Sequence, residues 1–178
     1  MANLNASDSR PVRETNYSPE IFIRTDAFEA GSLGEIGFDL GFEHESNGST
    51  MPDSRGWNRL YLVTKTKNDF FRIKLKLWYR EQEDQKTDPS ASEGDDNPDI
   101  VDFLGNGEFT FGFDYEGFQL DLSSGLGGKG LLKLDATLES GLFESSYWYF
   151  QALAGYGESL IDYNQYQNKF GIGILFTR

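Results

Sequence analysis

The chain has 178 residues, the length of one domain, and its lack of cysteine rules out a disulfide scaffold or a Cys-ligated zinc site. Lys+Arg 16 against Asp+Glu 29 leaves a formal charge of -13, which excludes a nucleic-acid partner, whose phosphates demand basic patches. No apolar run approaches the roughly 18 residues of a membrane helix, but a barrel hides in such averages, and Gly 20 with 15% aromatic residues suits a glycine-bent, aromatic-girdled sheet.

Residues 1–20 have neither a basic start nor an apolar run, so no signal peptide opens the chain. From there the dominant signal is period two. Ser18–Phe28 predicts a first strand. In Glu35–Ser46 the positions Ile36, Phe38, Leu40 and Phe42, then His44 and Ser46, face one side, with Glu35, Asp39, Glu43 and Glu45 on the other. Trp57–Lys67 follows. Phe70–Arg80 repeats the pattern with the opposite charge, setting Phe71, Ile73, Leu75, Leu77 and Tyr79 against Arg72, Lys74, Lys76 and Arg80.

The second half continues in the same way, with apolar faces at Phe109–Tyr115, Phe118–Leu122, Leu132–Leu138, Trp148–Ala154 and Phe170–Phe176. The total is about nine strands, and helical spacing is nowhere sustained. Short turns are expected near Glu29–Gly34, Lys67–Asp69, Glu116–Gly117 and Ser140–Ser145. Longer links are expected at Asn47–Gly56, Glu81–Val101, Gly125–Gly130 and Gly157–Gln165, and the acid-rich one after Glu81 reads mainly as a solvated loop.

Two architectures fit alternating faces. A soluble β-sandwich would bury the apolar rows, whereas a membrane barrel would turn them to lipid and fill its lumen with the charged rows. Four or five apolar positions per face match the roughly 9–11 residues of a tilted spanning strand. The acidic row of 35–46 and the basic row of 70–80 could neutralise each other across a narrow interior. Both features favour an all-β, antiparallel transmembrane β-barrel as a single domain over 1–178. Nine strands is an odd number for such a barrel, and an open edge in lipid is costly, so further strands are expected upstream.

His44 is the single histidine. It shares a strand face with Ser46, and a loop of about ten residues can bring Asn58 of the next strand beside it. Serine, histidine and asparagine together have a mechanism: imidazole takes the hydroxyl proton, and an amide carbonyl holds the imidazole in the right tautomer without adding charge.

The stretch His44-Glu45-Ser46-Asn47-Gly48, followed by Pro52-Asp53-Ser54-Arg55-Gly56-Trp57-Asn58-Arg59-Leu60-Tyr61, resembles the active-site segment of the bacterial outer membrane phospholipase A family. Arg13-Glu14-Thr15-Asn16-Tyr17, Asp95-Asp96-Asn97-Pro98-Asp99-Ile100 and Tyr156-Gly157-Glu158-Ser159-Leu160-Ile161-Asp162-Tyr163-Asn164 agree in the same order. The resemblance implies a twelve-stranded barrel in the Gram-negative outer membrane that hydrolyses phospholipid acyl esters. It implies Ser46 as nucleophile, His44 as general base, Asn58 as orienting residue and the Gly48 amide, with a calcium-bound water, at the oxyanion. It also implies calcium at a homodimer interface, held by the Ser54 hydroxyl, the Ser49 carbonyl and the Ser9 carbonyl of a second subunit.

There are departures from the family pattern. An aspartate of a second calcium site falls on Met51 here, while Asp96 keeps its partner position. The acidic loop at 81–94 is longer than in the family. Roughly three strands expected before Asn16 and the usual terminal aromatic are absent, which suggests a piece of a larger product. The alternatives are a non-enzymatic barrel that keeps the motif and a soluble β-sandwich binding module.

Other motifs read more plainly. Asp95–Asp99 lacks the ligand spacing of an EF-hand and reads as a solvated turn, apart from Asp96. Gly125–Gly130 has no following helix and reads as a flexible hairpin. Tyr147, Trp148, Tyr149, Phe150 and Tyr156 suit an interfacial girdle. Glu158 and Asp162 read as loop-ordering residues.

Overall fold

The computed structural model describes residues 14–50, 52–86, 88, 91 and 94–177. Alternation becomes one antiparallel sheet. Its strands are β1 (Glu20–Arg24), β2 (Phe28–Glu29), β3 (Glu35–Ser46), β4 (Gly56–Lys67), β5 (Phe71–Arg80), β6 (Gly107–Tyr115), β7 (Phe118–Leu126), β8 (Leu131–Glu139), β9 (Ser146–Gly155) and β10 (Gln167–Phe176). The order is β1-β3-β4-β5-β6-β7-β8-β9-β10, and the two-residue β2 also pairs with β3. The first expected strand is therefore broken in two. Thr25 caps the break by donating its amide to the Phe38 carbonyl at 2.9 Å and accepting the Phe38 amide on its hydroxyl at 3.1 Å.

The side-chain pattern decides between the two architectures. Ile21 is 75% exposed and Phe170 82%, and Leu40, Leu60, Tyr79, Leu138 and Ile172 share their outward-facing exposure. Asp39, Arg59 and Arg80 are buried instead. A sandwich core would show the reverse burial, so the sheet is inside-out, as in a barrel wall that meets lipid. Its concave side surrounds a cavity of about 1200 Å³ with Arg24, Lys65, Lys76, Glu108, Asp121 and Lys133 among its lining.

The interior charges are paired. Lys76 of β5 reaches Glu43 of β3 at 2.7 Å, the cross-strand neutralisation expected from the two opposed rows. The intervening strand contributes as well: Arg59 of β4 reaches Glu43 at 3.1 Å and Glu45 at 2.7 Å, and Lys65 reaches Asp39 at 3.1 Å. Removing one partner of such a buried set would strand a charge, which costs far more than an exposed pair returns.

Short turns gather at one end. Between β4 and β5 the Asn68 side chain accepts the amides of Phe70 and Phe71, at 3.0 and 2.8 Å, an Asx turn. Longer connections gather at the other end and pack together. There Ile100–Leu104 forms a five-residue helix, α1, which the absence of sustained helical spacing did not reveal. Five residues are too few to show helical periodicity, and packing sustains the helix instead. Ile100 and Trp57 are almost fully buried, in one cluster with Leu160 and Tyr163.

Three other expectations change at this end. The Gly125–Gly130 hairpin is pinned rather than flexible: Lys129 and Gly130 donate their amides to Asp102 at 2.9 Å and Phe103 at 2.7 Å. Gly128 (φ +58°) lies so close to Gly105 and Val101 that a Cβ would meet backbone atoms at 2.8 Å. Tyr156 leaves the girdle and packs on Phe103 and Tyr166, with ring centroids 5.4 and 5.6 Å away. Asp95 is no solvated residue, since it pairs with Arg80 at 2.6 Å and accepts the Asn97 amide at 3.0 Å.

Candidate active site

Strand register brings the histidine and the asparagine together. His44 lies directly opposite Asn58, and Ser46 directly opposite Gly56. His44 Nδ1 is 2.8 Å from Asn58 Oδ1. The Asn58 amide nitrogen donates to Glu83 Oε1 at 3.1 Å. A carboxylate can only accept, so the Asn58 amide turns its nitrogen to Glu83 and its carbonyl to the imidazole. That carbonyl in turn requires a proton on Nδ1, leaving Nε2 as the basic nitrogen.

Ser46 lies two residues beyond His44 on the same face. No hydrogen bond joins its hydroxyl to the ring among the described residues, and such catalytic contacts commonly tighten only when substrate binds. Gly56 opposite leaves the serine uncrowded: a Cβ there would meet Ser46 Cβ at 3.4 Å. On the other side of β3, Tyr17 and Ser46 exchange backbone hydrogen bonds at 2.8 and 2.9 Å.

The inward side of the same hairpin end is rigid. Trp57 donates its indole N–H to Glu45 at 3.0 Å, and the Arg59 guanidinium lies 4.0 Å from the Trp57 ring centroid. Trp78 meets Trp57 edge-on at 6.2 Å. Glu45 thus anchors the strand from within while His44 and Ser46, its neighbours, point outward.

The loop after Ser46 is organised by Asn47, a buried residue the sequence reading passed over. Its carbonyl accepts the Ser49 and Arg55 amides at 3.2 and 3.0 Å, and its amide donates to the Asp53 carbonyl at 2.7 Å. The Asn-Gly dipeptide was the signal for such a turn. Gly48 adopts φ +59°, beneath the Tyr17 ring. Its amide has no backbone hydrogen-bond partner among the described residues.

The expected cation ligands divide into those whose surroundings suit a cation and those whose surroundings do not. Ser54 donates its hydroxyl proton to Asp96 Oδ2 at 2.6 Å, which leaves the Ser54 oxygen lone pairs for a cation. The Ser49 carbonyl accepts no backbone hydrogen bond among the described residues. Hydroxyl and carbonyl oxygens suit calcium, which takes six to eight oxygen ligands. Ser9 and Met51 lie outside the described residues. Asp96 does not fit a second metal site, because the Lys86 ammonium is already paired with it.

Lys86 and residues 95–97 of the acidic link are therefore packed against the site, whereas residues 81–85, Asp88, Pro98 and Asp99 are exposed, as expected for most of that link. Asn97 is fully buried and accepts the Gly56 amide at 3.0 Å. Asp99 accepts the Tyr163 hydroxyl. Burial, then this bond, holds the Tyr163 phenol well above its ordinary range. Glu158 does order its loop, through Lys169 at 2.5 Å.

Comparison with known proteins agrees with this fold. Residues 3–176 match the family model described as phospholipase A1. Phospholipase A1 of Escherichia coli K12 is 34% identical over 183 residues, covering 97% of this chain and 57% of the relative. A putative phospholipase A1 of Neisseria meningitidis is also 34% identical, covering 95% of this chain and 44% of its own length. The chain thus spans about half the length of the curated relatives it matches. Outer membrane phospholipase A of E. coli superposes with a TM-score of 0.82 at 30% identity, over 97% of this chain and 66% of that one. A Salmonella typhi outer membrane phospholipase dimer with bound calcium gives 0.81 at 30% identity, over 97% and 64%. A third structure is an active-site mutant of the E. coli protein in which an asparagine is replaced by alanine, with a TM-score of 0.79. With an inside-out antiparallel sheet, an outward His44–Asn58 pair and a family match along almost its whole length, this chain belongs to the phospholipase A1 family.

Proposed function

We propose that this chain carries the catalytic wall of a calcium-dependent phospholipase of the Gram-negative outer membrane. Its substrates would be the acyl esters of phospholipids, including both glycerol positions and lysophospholipids. The carrying observation is the 2.8 Å contact between His44 and Asn58 on an apolar outer face that also bears Ser46.

The chemistry follows from the proton positions. Asn58 holds the Nδ1 proton, so Nε2 of His44 accepts the Ser46 proton as Oγ attacks the ester carbonyl. The charge that develops on the carbonyl oxygen meets the Gly48 amide, a contribution of several kcal/mol in comparable sites. His44 then returns its proton to the leaving alcohol and activates the water that releases the fatty acid from Ser46.

Calcium, bound through Ser54 and Ser49 with Ser9 of a second copy, would add positive charge beside that oxygen. The apolar rows around His44, including Leu40, Phe42, Leu60 and Leu62, are exposed and complement acyl chains or a second copy of the wall. Dimerisation would complete both the cation site and the acyl groove, and calcium would favour the pair by mass action.

The test is acylation of Ser46. A long-chain sulfonyl fluoride, with calcium and detergent present, should label Ser46 in the wild-type chain and not in Ser46→Ala, and labelling should fall in His44→Ala. A folded wild-type chain that takes no label would return the protein to a non-catalytic barrel wall.

A further inference from the structure

The Lys86–Asp96 contact has the form of a metal site with an ammonium in it. Lys86 is almost wholly buried, its side chain 9% exposed, an unusual position for a lysine. Its Nζ donates to the Ala91 carbonyl at 2.8 Å and pairs with Asp96 Oδ1. The other oxygen of the same carboxylate accepts the Ser54 hydroxyl. Oδ1 is closed off from solvent and has no aligned hydrogen bond, so the ammonium is its counter-charge. A carbonyl, a carboxylate and a hydroxyl within one small region are oxygen donors of the kind a hard cation takes.

We propose that the Lys86 ammonium stands in for a divalent cation at Asp96, so that a covalently attached charge does the work of a second metal. Lys86 and Asp96 both belong to the link after β5, and Asp96 reaches the loop of 47–55 by accepting the Ser54 hydroxyl. The chain Lys86–Asp96–Ser54 therefore folds that link on itself and clasps it to the segment that carries Gly48. Neighbouring contacts close the same seam: Arg80 with Asp95, and Asn97 with the Gly56 amide. A metal clasp would come and go with calcium, whereas this one is permanent. Calcium would then act only at the site to which this chain contributes the Ser54 and Ser49 oxygens. The inference rests on the ion pair and not on acyl chemistry, so a chain inactive towards esters would still test it.

The experiment removes the ammonium and keeps its volume. In detergent-folded full chain, Lys86→Met should lower Tm in chelator by about 5 °C, the expected scale for stranding a mostly buried carboxylate. Calcium should restore it, and a binding isotherm should show one more calcium per chain than the wild type binds. Lys86→Met combined with Asp96→Asn removes both charges and should recover the wild-type Tm in chelator, with no extra calcium. That double variant also reports if Lys86→Met alone does not fold. Equal Tm and equal calcium stoichiometry in Lys86→Met and wild type would overturn the proposal, as would a double variant no more stable than the single one.

Discussion

Replacing Asn58 by alanine tests the reading of the site most directly, because the structure assigns that residue one job. It accepts the Nδ1 proton of His44 at 2.8 Å and donates to Glu83 at 3.1 Å. The bond to the imidazole is between neutral groups and partly exposed, so its net worth is about 0.5–1.5 kcal/mol. At about 1.4 kcal/mol per tenfold, losing it should slow acylation by about 2- to 12-fold. The rest of the site stays in place, since β3 and β4 are paired along their full lengths and Asn58 contributes its backbone unchanged. The assay is fatty-acid release from a phospholipid in detergent with calcium, alongside the rate at which a sulfonyl fluoride modifies Ser46. Both rates should fall together, because both need the same basic Nε2. Glu83→Gln can still accept from the Asn58 amide but can also flip it, and should fall between wild type and Asn58→Ala. A loss in Asn58→Ala as deep as that of Ser46→Ala would refute a purely orienting role, and no loss would remove Asn58 from the site.

Ser46→Ala should abolish acyl release, at least about a thousandfold, while the detergent-folded chain keeps its wild-type Tm, as expected for a residue that only reacts. Trp57→Ala should cost about 3–5 kcal/mol in denaturant unfolding, because it empties the most buried aromatic position and strips Glu45 of a donor. Ser54→Ala should raise the calcium needed for half-maximal activity about tenfold or more, a larger effect than the loss of about 1–2 kcal/mol in chelator expected from its hydrogen bond to Asp96. Alkaline titration reports on Tyr163, whose folded phenol holds its proton above the ordinary value of 10.0. Its stabilising share is complete below pH 10.0 and is lost as pH rises from there towards the folded value, because only the unfolded phenol ionises in that window. Tyr163→Phe should flatten that limb of a stability–pH profile.

Sequence alone carried the wall and the outward pair for the same reason. A strand has a fixed period of two, so a single row such as Ile36, Phe38, Leu40, Phe42, His44 and Ser46 specifies both the face and what lies on it. Register came nearly free, because the loop between β3 and β4 is short enough to set His44 opposite Asn58 within a residue or two. The link after β5 gave no such handle. Its acids are spaced without period, so Asp95, Asp96 and Glu83 look like any solvated run until their partners arrive from β5, β4 and the loop of 47–55. Helix α1 was equally silent, since its five residues gain their order from Trp57, Leu160 and Tyr163, which are distant in sequence. Long-range partners, not local pattern, define that end of the molecule.

The choice of asparagine at position 58 follows from where the site sits. The outer face offers neither water nor counter-ions at depth, so a carboxylate beside His44 would carry an uncompensated charge next to exposed Leu60 and Phe42. An amide accepts the imidazole proton without charge. It has a weakness that a carboxylate lacks, because it can flip and present a donor to Nδ1, which would lock the ring in the wrong tautomer. Glu83 supplies the missing asymmetry: a carboxylate that can only accept, placed at the loop level, fixes which end of the amide faces the histidine. The negative charge that a serine hydrolase commonly places next to its histidine is thus moved one hydrogen bond outward, from the apolar wall to its wet rim. The link that carries Glu83 is held by Lys86 and Asp96, Arg80 and Asp95, and Asn97 and Gly56. On this account the packing of that link and the tautomer of His44 are one problem, and a change that loosens the link should appear first as slower acylation of Ser46 rather than as loss of the barrel.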